Sequence, residues 1–245
     1  RQADTEFEKY GLFKLIYEYE KFNINDKFVL SVAPFHKIQK FYETFSLIFN
    51  IIMVSTVGDF SLINTNIGLF GQTLMISKKN YFLIGGHEIV RDKILENLYL
   101  SKILSENGYE LLTFLGKDTI SFRMYPNGFN ELINGWQKAF ARGVNIVSNF
   151  KFLLIILWIS AGFIIFFGSI FSFFINLDLI YGFLILYILY SLQIIWMSKK
   201  VGKFKYYYGF LFPIYLVFFN YIFILSTLKT YKNNKVTWKG RELKA

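Results

Sequence analysis

Three long runs without a charge constrain this chain more than any other feature. Residues 152–177 (FLLIILWISAGFIIFFGSIFSFFINL) give 26 uncharged positions, residues 179–197 (LIYGFLILYILYSLQIIWM) give 19, and residues 206–228 (YYYGFLFPIYLVFFNYIFILSTL) give 23. An α-helix rises about 1.5 Å per residue, so each run is long enough to cross a hydrocarbon core about 30 Å thick. Helices are the form to expect there, because a helix satisfies its own backbone hydrogen bonds. Three buried helices of a soluble domain are a poor alternative at these lengths. The composition agrees: 54% of the residues are hydrophobic and 21% aromatic, above the usual apolar share of a soluble domain.

The charges supply the orientation. Lys138, Arg142 and Lys151 precede the first run, only Asp178 separates the first from the second, and Lys199, Lys200, Lys203 and Lys205 separate the second from the third. Basic residues stay on the cytoplasmic side. The residues before the first run and the basic loop are therefore expected in the cytoplasm, with Asp178 outside. The predicted location is the cell membrane, crossed more than once. The net charge of +10 is largely this flanking charge, so nucleic acid is not the expected partner. The tail KTYKNNKVTWKGRELKA is also basic, yet three crossings would leave it outside. Gly209 and Pro213, near the start of the third run, suit a re-entrant or interfacial segment, so two to three transmembrane helices are predicted. Tyr206, Tyr207 and Tyr208 read as an interfacial belt.

Residues 1–145 are of mixed character. Residues 5–22 read as a helix with Phe13, Ile16 and Tyr17 at helical spacing, and residues 27–35 as a strand ending near Pro34. Residues 36–58 begin basic and then run apolar for about a dozen positions, too short to span. They fit an interfacial helix or a buried core helix equally well. Residues 69–77 and 119–125 read as strands, and residues 127–144 as a helix rich in Lys and Arg. Strands alternating with helices predict an α/β layer architecture. The strands are too few for a complete doubly wound sheet, and the chain opens at Arg1 in a loop running into a helix. A preceding piece is therefore expected. The predicted divisions are 1–150, part of a mixed domain; 151–228, a membrane domain; and 229–245, a basic tail.

The chemistry has few candidates. With no cysteine and only His36 and His87, a disulfide framework is excluded and a zinc site is poorly supplied. No phosphate-cradling Gly-rich loop ending in Lys-Ser/Thr appears. In QADTEF, residues 2–7, Asp4 could serve a D-x-D pair for a hard cation, but Gln2 fills the first position and an N-cap is the plainer reading. The stretch IGGHEIVRDKILENLYLSKILSENGYELL, residues 84–112, is richer. Gly85 and Gly86 permit positive φ. A helix is predicted after them, carrying Glu88, Asp92 and Glu96 at four-residue spacing. Spacing alone reads as a solvated face. A carboxylate such as Glu96 acts as a general base only if it faces a cleft.

Taken in order, ADT, LSVAPFHKIQKFYETFSLIFNIIM, FGQTLMISKKNYFLIGGHEIVRDKILENLYLSKILSENGYELL, SFRMYPNGFNELINGWQKAFARG, the spans and VTWKGR resemble the membrane-bound family 2 glycosyltransferases. The similarity is to the 4,4'-diaponeurosporenoate glycosyltransferase-like branch, with ceramide glucosyltransferases more distant. The resemblance implies part of a GT-A fold of the nucleotide-diphospho-sugar transferase type, followed by a bundle of transmembrane helices. It implies a hexosyltransferase with a nucleotide-sugar donor, a divalent metal (Mg or Mn) and a lipid or carotenoid-like acceptor at the cytoplasmic face. Asp4 matches the second metal-binding acid, and Gly85 and Gly86 the turn on the donor side. Glu96 matches the first acid of an E-D pair in the catalytic base region. Trp136, Gln137, Lys138 and Arg142 stand where the family has Q-x-x-R-W, on the acceptor or diphosphate side. The chain departs from the pattern at Gln2, at Asn97 in place of the second E-D acid, and in that incomplete box. The family's nucleotide-binding front half would precede Arg1, so donor binding by this stretch alone is expected to be impaired. The other expectation is a truncated or non-catalytic membrane protein with an interaction domain.

Overall fold

Pro34 decides how the first long strand is used. In the computed structural model, which describes residues 5–57, 68–91, 96–143, 149–175, 177–233, 235–238 and 241–244, the predicted strand divides there. The piece before it, β2 (Phe28–Ala33), joins one sheet; the piece after it, β3 (Phe35–His36), joins another. Proline has no N–H to give to a ladder, so the chain changes partners at this position.

The elements run β1 (Thr5–Phe7), α1 (Gly11–Phe22), β2, β3, a 3-10 segment (Phe41–Ser46), α2 (Leu47–Val57), β4 (Leu74–Met75), α3 (Lys78–Leu83), a second 3-10 segment (Gly86–Val90), α4 (Glu96–Glu106), β5 (Glu110–Leu115) and β6 (Ile120–Phe122). Then follow α5 (Phe129–Gly143), α6 (Asn149–Ile175), α7 (Leu177–Val201), the short α8 (Tyr207–Phe210), α9 (Phe212–Asn233), and a hairpin of β7 (Lys235–Trp238) and β8 (Arg241–Lys244). The chain forms two compact units. The first holds residues 1–37, 53–124 and 200–202; the second holds 38–52, 125–199 and 203–245.

In the first unit β2 is the central strand, with all six residues buried. It pairs in parallel with β5, from Phe28 opposite Glu110 to Ala33 opposite Leu115, and antiparallel with β4. Its sequence FVLSVA is apolar almost throughout because both faces are covered. Phe28, Leu30 and Val32 pack with Leu15 of α1 and with Ile120; Val29 packs with Leu100 and Leu104 of α4, Val90 and Leu111. A smaller sheet has the order β1–β6–β3, antiparallel on one side of β6 and parallel on the other. The mixed α/β content expected from the alternating pattern is present.

Several details differ from the periodicity. Residues 5–7 are a strand, because they pair with β6; the helix starts at Gly11, whose α-carbon lies against the Thr119 carbonyl where a Cβ would not fit. Leu15 faces the sheet, while Phe13, Ile16 and Tyr17 are exposed. Residues 69–73 form a loop with a turn at Gly71 and Gln72, and of the predicted strand only Leu74 and Met75 pair. Helix α2 is a core helix: Leu47, Ile48, Phe49, Ile51 and Val54 are all buried. That decides between the two readings of the 36–58 run.

Among the described residues, α6 and residues 178–201 of α7 are the helices long and apolar enough to cross a membrane. Both expose large apolar side chains, among them Phe171, Phe174 and Ile175 on α6 and Leu184, Ile185 and Leu189 on α7. The third run breaks at Leu211 into α8 and α9, and the apolar part of α9, Phe212–Leu228, is shorter than either span. One stripe of α9 is buried, through Phe212, Tyr215, Leu216, Phe219 and Ile222. That spacing of three and four residues is the inward face of a packed helix.

Leu104 has no exposure and joins α4 to the sheet. Leu104→Ala is expected to destabilise the first unit by about 2–5 kcal/mol. Glu106→Ala, on the exposed end of the same helix, is expected to change stability by less than about 0.5 kcal/mol. Thermal unfolding in detergent measures both.

Candidate functional site

Ligands of α/β sheets bind outside the carboxyl ends of parallel strands, and in the first unit those are the ends of β2 and β5. Residues 68–73 form a strap across them. The Ser31 hydroxyl donates to the Phe70 carbonyl (3.1 Å) and accepts from the Phe70 N–H (2.6 Å). The Thr113 hydroxyl donates to the Gly68 carbonyl (3.2 Å), and the Val32 N–H donates to the Thr73 carbonyl (3.3 Å). These bonds explain why two largely apolar strands carry Ser31 and Thr113. Gly71, in the middle of the strap, leaves no space for a Cβ, because the Asn97 side chain lies against it. The first turn of α4 is thus held against the strap. Glu96, half-buried, opens that turn beside Asn97.

The Gly-Gly turn is built differently. Gly85 (φ 85°) and Gly86 (φ 57°) both adopt the left-handed conformation that glycine takes without steric cost. Tyr81 of α3 closes over it: its ring would lie 2.9 Å from a Cβ on Gly86. Its hydroxyl accepts from the His87 N–H (3.1 Å) and lies 2.6 Å from His87 Nδ1. A 3-10 segment follows, and α4 begins only at Glu96. Glu88 and Glu96 therefore do not share one helix face, which corrects the acidic row expected from the spacing. Glu88 is exposed and paired with Arg91 at 3.0 Å. Asp92 lies outside the described residues.

The second unit contains the stretch matched to Q-x-x-R-W. Trp136 is buried, stacks on Phe49 (centroids 4.6 Å apart) and meets the Tyr125 ring at 5.9 Å. Its indole N–H donates to the Ser46 hydroxyl at 3.0 Å. Burial pushes the Tyr125 phenol well above its ordinary pKa. The Gln137 carbonyl accepts from the Ser226 hydroxyl of α9 at 2.8 Å. Lys138 is exposed. The backbone of Arg142 continues α5, while its side chain is outside the described residues, as is the whole of Asp4. Among the described residues no three His, Asp or Glu side chains come together as a metal cradle.

His36, which the sequence offers only as half of a poor zinc pair, takes a definite place. His36 is 3% exposed. Its backbone pairs with β6 and bridges Gly202, and its ring sits edge-on to Phe122 at 4.4 Å. Its Nδ1 has no hydrogen-bond partner among the described residues. Burial pushes its pKa down to about 3. With Gln72 of the strap it lines a cavity at the ends of β2 and β5. The available signal was the proline two residues earlier, which turns the chain and carries His36 inward.

The chain is similar to a class of curated sugar-transferring enzymes, the glycosyltransferases. Matching proteins include the 4,4'-diaponeurosporenoate glycosyltransferases of Staphylococcus aureus strains USA300, NCTC 8325 / PS 47 and Newman, each 32% identical over 227 residues, 89% of this chain. The chain spans 59% of the length of these relatives. No family model and no solved structure matches it. The resemblance read from the ordered stretches is thus present across most of the chain.

Two outcomes follow from this geometry. Gly86→Ala forces a side chain into the left-handed region and against Tyr81. The expected loss is about 1–3 kcal/mol in thermal unfolding. Between about pH 6.5, the ordinary histidine value, and about pH 3, His36 binds a proton when unfolded but not when folded. Stability should therefore fall as pH drops below about 6.5, by up to about 1.4 kcal/mol per pH unit from this group. Melting temperatures of wild type and His36→Gln between pH 4 and 8 check this; the wild-type curve should fall more steeply in acid.

Proposed function

We propose that the chain is part of a membrane glycosyltransferase. It moves a sugar from a nucleotide-diphospho-sugar donor to a lipid or carotenoid-like acceptor, with Glu96 as the base. The observation that carries this reading is the 32% identity over 89% of the chain to the 4,4'-diaponeurosporenoate glycosyltransferases. The seating of Glu96 in the turn held to the strap supports its role, as do the spans α6 and α7 with their basic flanks. That charge pattern supports a cytoplasmic side for the residues before α6 and the α7–α8 connection, where nucleotide sugars are available.

The chemistry is an in-line displacement. The acceptor oxygen forms a bond to the anomeric carbon, the bond from that carbon to the donor diphosphate breaks, and the nucleoside diphosphate leaves with its electron pair. Glu96 takes the acceptor hydroxyl proton as its oxygen attacks. Gly85 and Gly86 let the backbone approach the donor. Trp136, Gln137, Lys138 and Arg142 belong to the acceptor or diphosphate side, where Trp136 acts through its packing on Phe49 and Ser46. A divalent ion on Asp4 would neutralise the leaving diphosphate; the described residues offer no cluster of three acids or histidines for it.

Glu96→Gln is expected to lower transfer to a hydroxyl acceptor by about 100-fold or more, with membrane insertion unchanged. A carboxylate acceptor, such as the one for which the relatives are named, carries no proton at neutral pH. It should still be glycosylated by the variant. Wild-type turnover of the variant on a hydroxyl acceptor rules out Glu96 as base. No transfer by wild type from any member of a radiolabelled nucleotide-sugar panel overturns the glycosyltransferase reading, in favour of a non-catalytic membrane protein with an interaction domain.

A further inference from the structure

The turn between α7 and α9 gathers positive charge that nothing near it in the sequence balances. Lys199, Lys200, Lys203 and Lys205 fall within seven residues, and no Asp or Glu occurs between Asp178 and Glu242. Lys199, Lys203 and Lys205 are exposed and make no salt bridge among the described residues. Hydrogen bonds hold the turn in one shape. The Tyr208, Gly209 and Leu211 N–H groups donate to the Lys205, Tyr206 and Tyr208 carbonyls, each at 3.1 Å. The Tyr187 hydroxyl of α7 donates to the Phe210 carbonyl at 2.6 Å. Gly209 lies so close to α7 that a Cβ there would stand 2.3 Å from the Ile195 side chain.

The surface around these cations is apolar and aromatic. Trp196, Tyr206, Tyr207, Phe210 and Leu211 are all exposed. The Lys205 ammonium lies 5.7 Å from the centre of the Tyr207 ring. The Tyr207 hydroxyl donates to that of Tyr208 over a long 3.4 Å, a bond that an anionic acceptor displaces at little cost. A free anion in water would meet the lysines and leave the exposed apolar groups uncovered. A zwitterionic headgroup carries its own cation and brings no net charge to the lysines. The combination, at the end of a helix long and apolar enough to cross a membrane, suits a molecule anionic at one end and apolar at the other. We propose that this turn binds the headgroup of an anionic phospholipid. Lys203 and Lys205 meet its phosphate, Tyr207 is a neutral donor beside them, and the acyl chains lie against Trp196, Phe210 and Leu211. The site is a feature of membrane contact and does not depend on sugar transfer.

The test uses the full chain in dodecyl maltoside micelles, titrated with phosphatidylglycerol or phosphatidylcholine carrying brominated acyl chains. Bromine quenches nearby indoles, and Trp196→Phe supplies the background from the chain's other tryptophans. Phosphatidylglycerol is expected to half-quench Trp196 at about 25-fold lower mole fraction than phosphatidylcholine, about fivefold for each lysine. Lys203→Gln with Lys205→Gln should reduce that preference to about twofold. Lys78→Gln with Lys79→Gln, at two exposed lysines of the first unit, should leave it unchanged. Raising the salt from about 0.05 to 0.5 M should weaken it in the unmodified protein, a readout that needs no variant. Equal half-quenching by the two lipids overturns the proposal. So does a preference that survives the loss of Lys203 and Lys205, that falls equally on loss of Lys78 and Lys79, or that ignores salt. Suppression by about 10 mM inorganic phosphate at constant ionic strength also overturns it, in favour of a site for free phosphate. No step requires glycosyl transfer, so a failed transfer assay and a failed titration are separate results.

Discussion

The parallel pairing of β2 with β5 is the constraint on which the first unit depends. Two parallel strands cannot be joined by a tight turn; the connection must cross back over the sheet. Here that crossover contains the strap at residues 68–73, the Gly85–Gly86 turn and α4, which covers one face of β2. Every candidate group of the unit that the structure describes lies on this connection or at the strand ends it spans. The apolar content of FVLSVA therefore does two things. It builds a strand buried on both faces, and it forces a long excursion whose return leaves Glu96 and Gln72 near the same end of the sheet.

The second unit follows a different rule. Its packing centres on aromatic rings: Phe45, Phe49, Trp136, Phe218 and Phe219 meet at centroid distances between 4.6 and 6.0 Å. Offset and edge-on pairs of this kind add to the area they bury. Several polar groups inside it are matched: the Trp136 indole to Ser46, Tyr215 to Thr44, and Ser226 to the Gln137 carbonyl. By contrast, α6 and α7 keep apolar side chains outward. Exposed apolar surfaces of this size mark contacts with a membrane or a partner protein.

Much of the local structure was legible. The helix at residues 127–144 appears as α5, and the strands at β2 and β6 lie within their predicted stretches. The misreadings share a physical cause. Residues 5–7 and 74–75 are strands only because of distant partners, Ile120–Phe122 and β2, and short strands have no period to detect. Glu88 and Glu96 kept helical spacing, yet two glycines with positive φ and a 3-10 segment place them on separate elements. On α1, Leu15 is the residue that faces the sheet, and a helix with apolar residues on several sides does not reveal which one will be buried.

The sequence by itself determined the long apolar helices, the charge asymmetry around them and the break at Pro34, and it carried the family resemblance. These depend on length, composition and order along the chain. Tertiary structure alone decided that Ser31 and Thr113 hold the strap, that Asn97 occupies the space a Cβ on Gly71 would need, and that His36 is buried with its Nδ1 unmatched. The physical reason is common to all three: burial and hydrogen-bond partners are set by residues tens of positions away, and no local pattern encodes them.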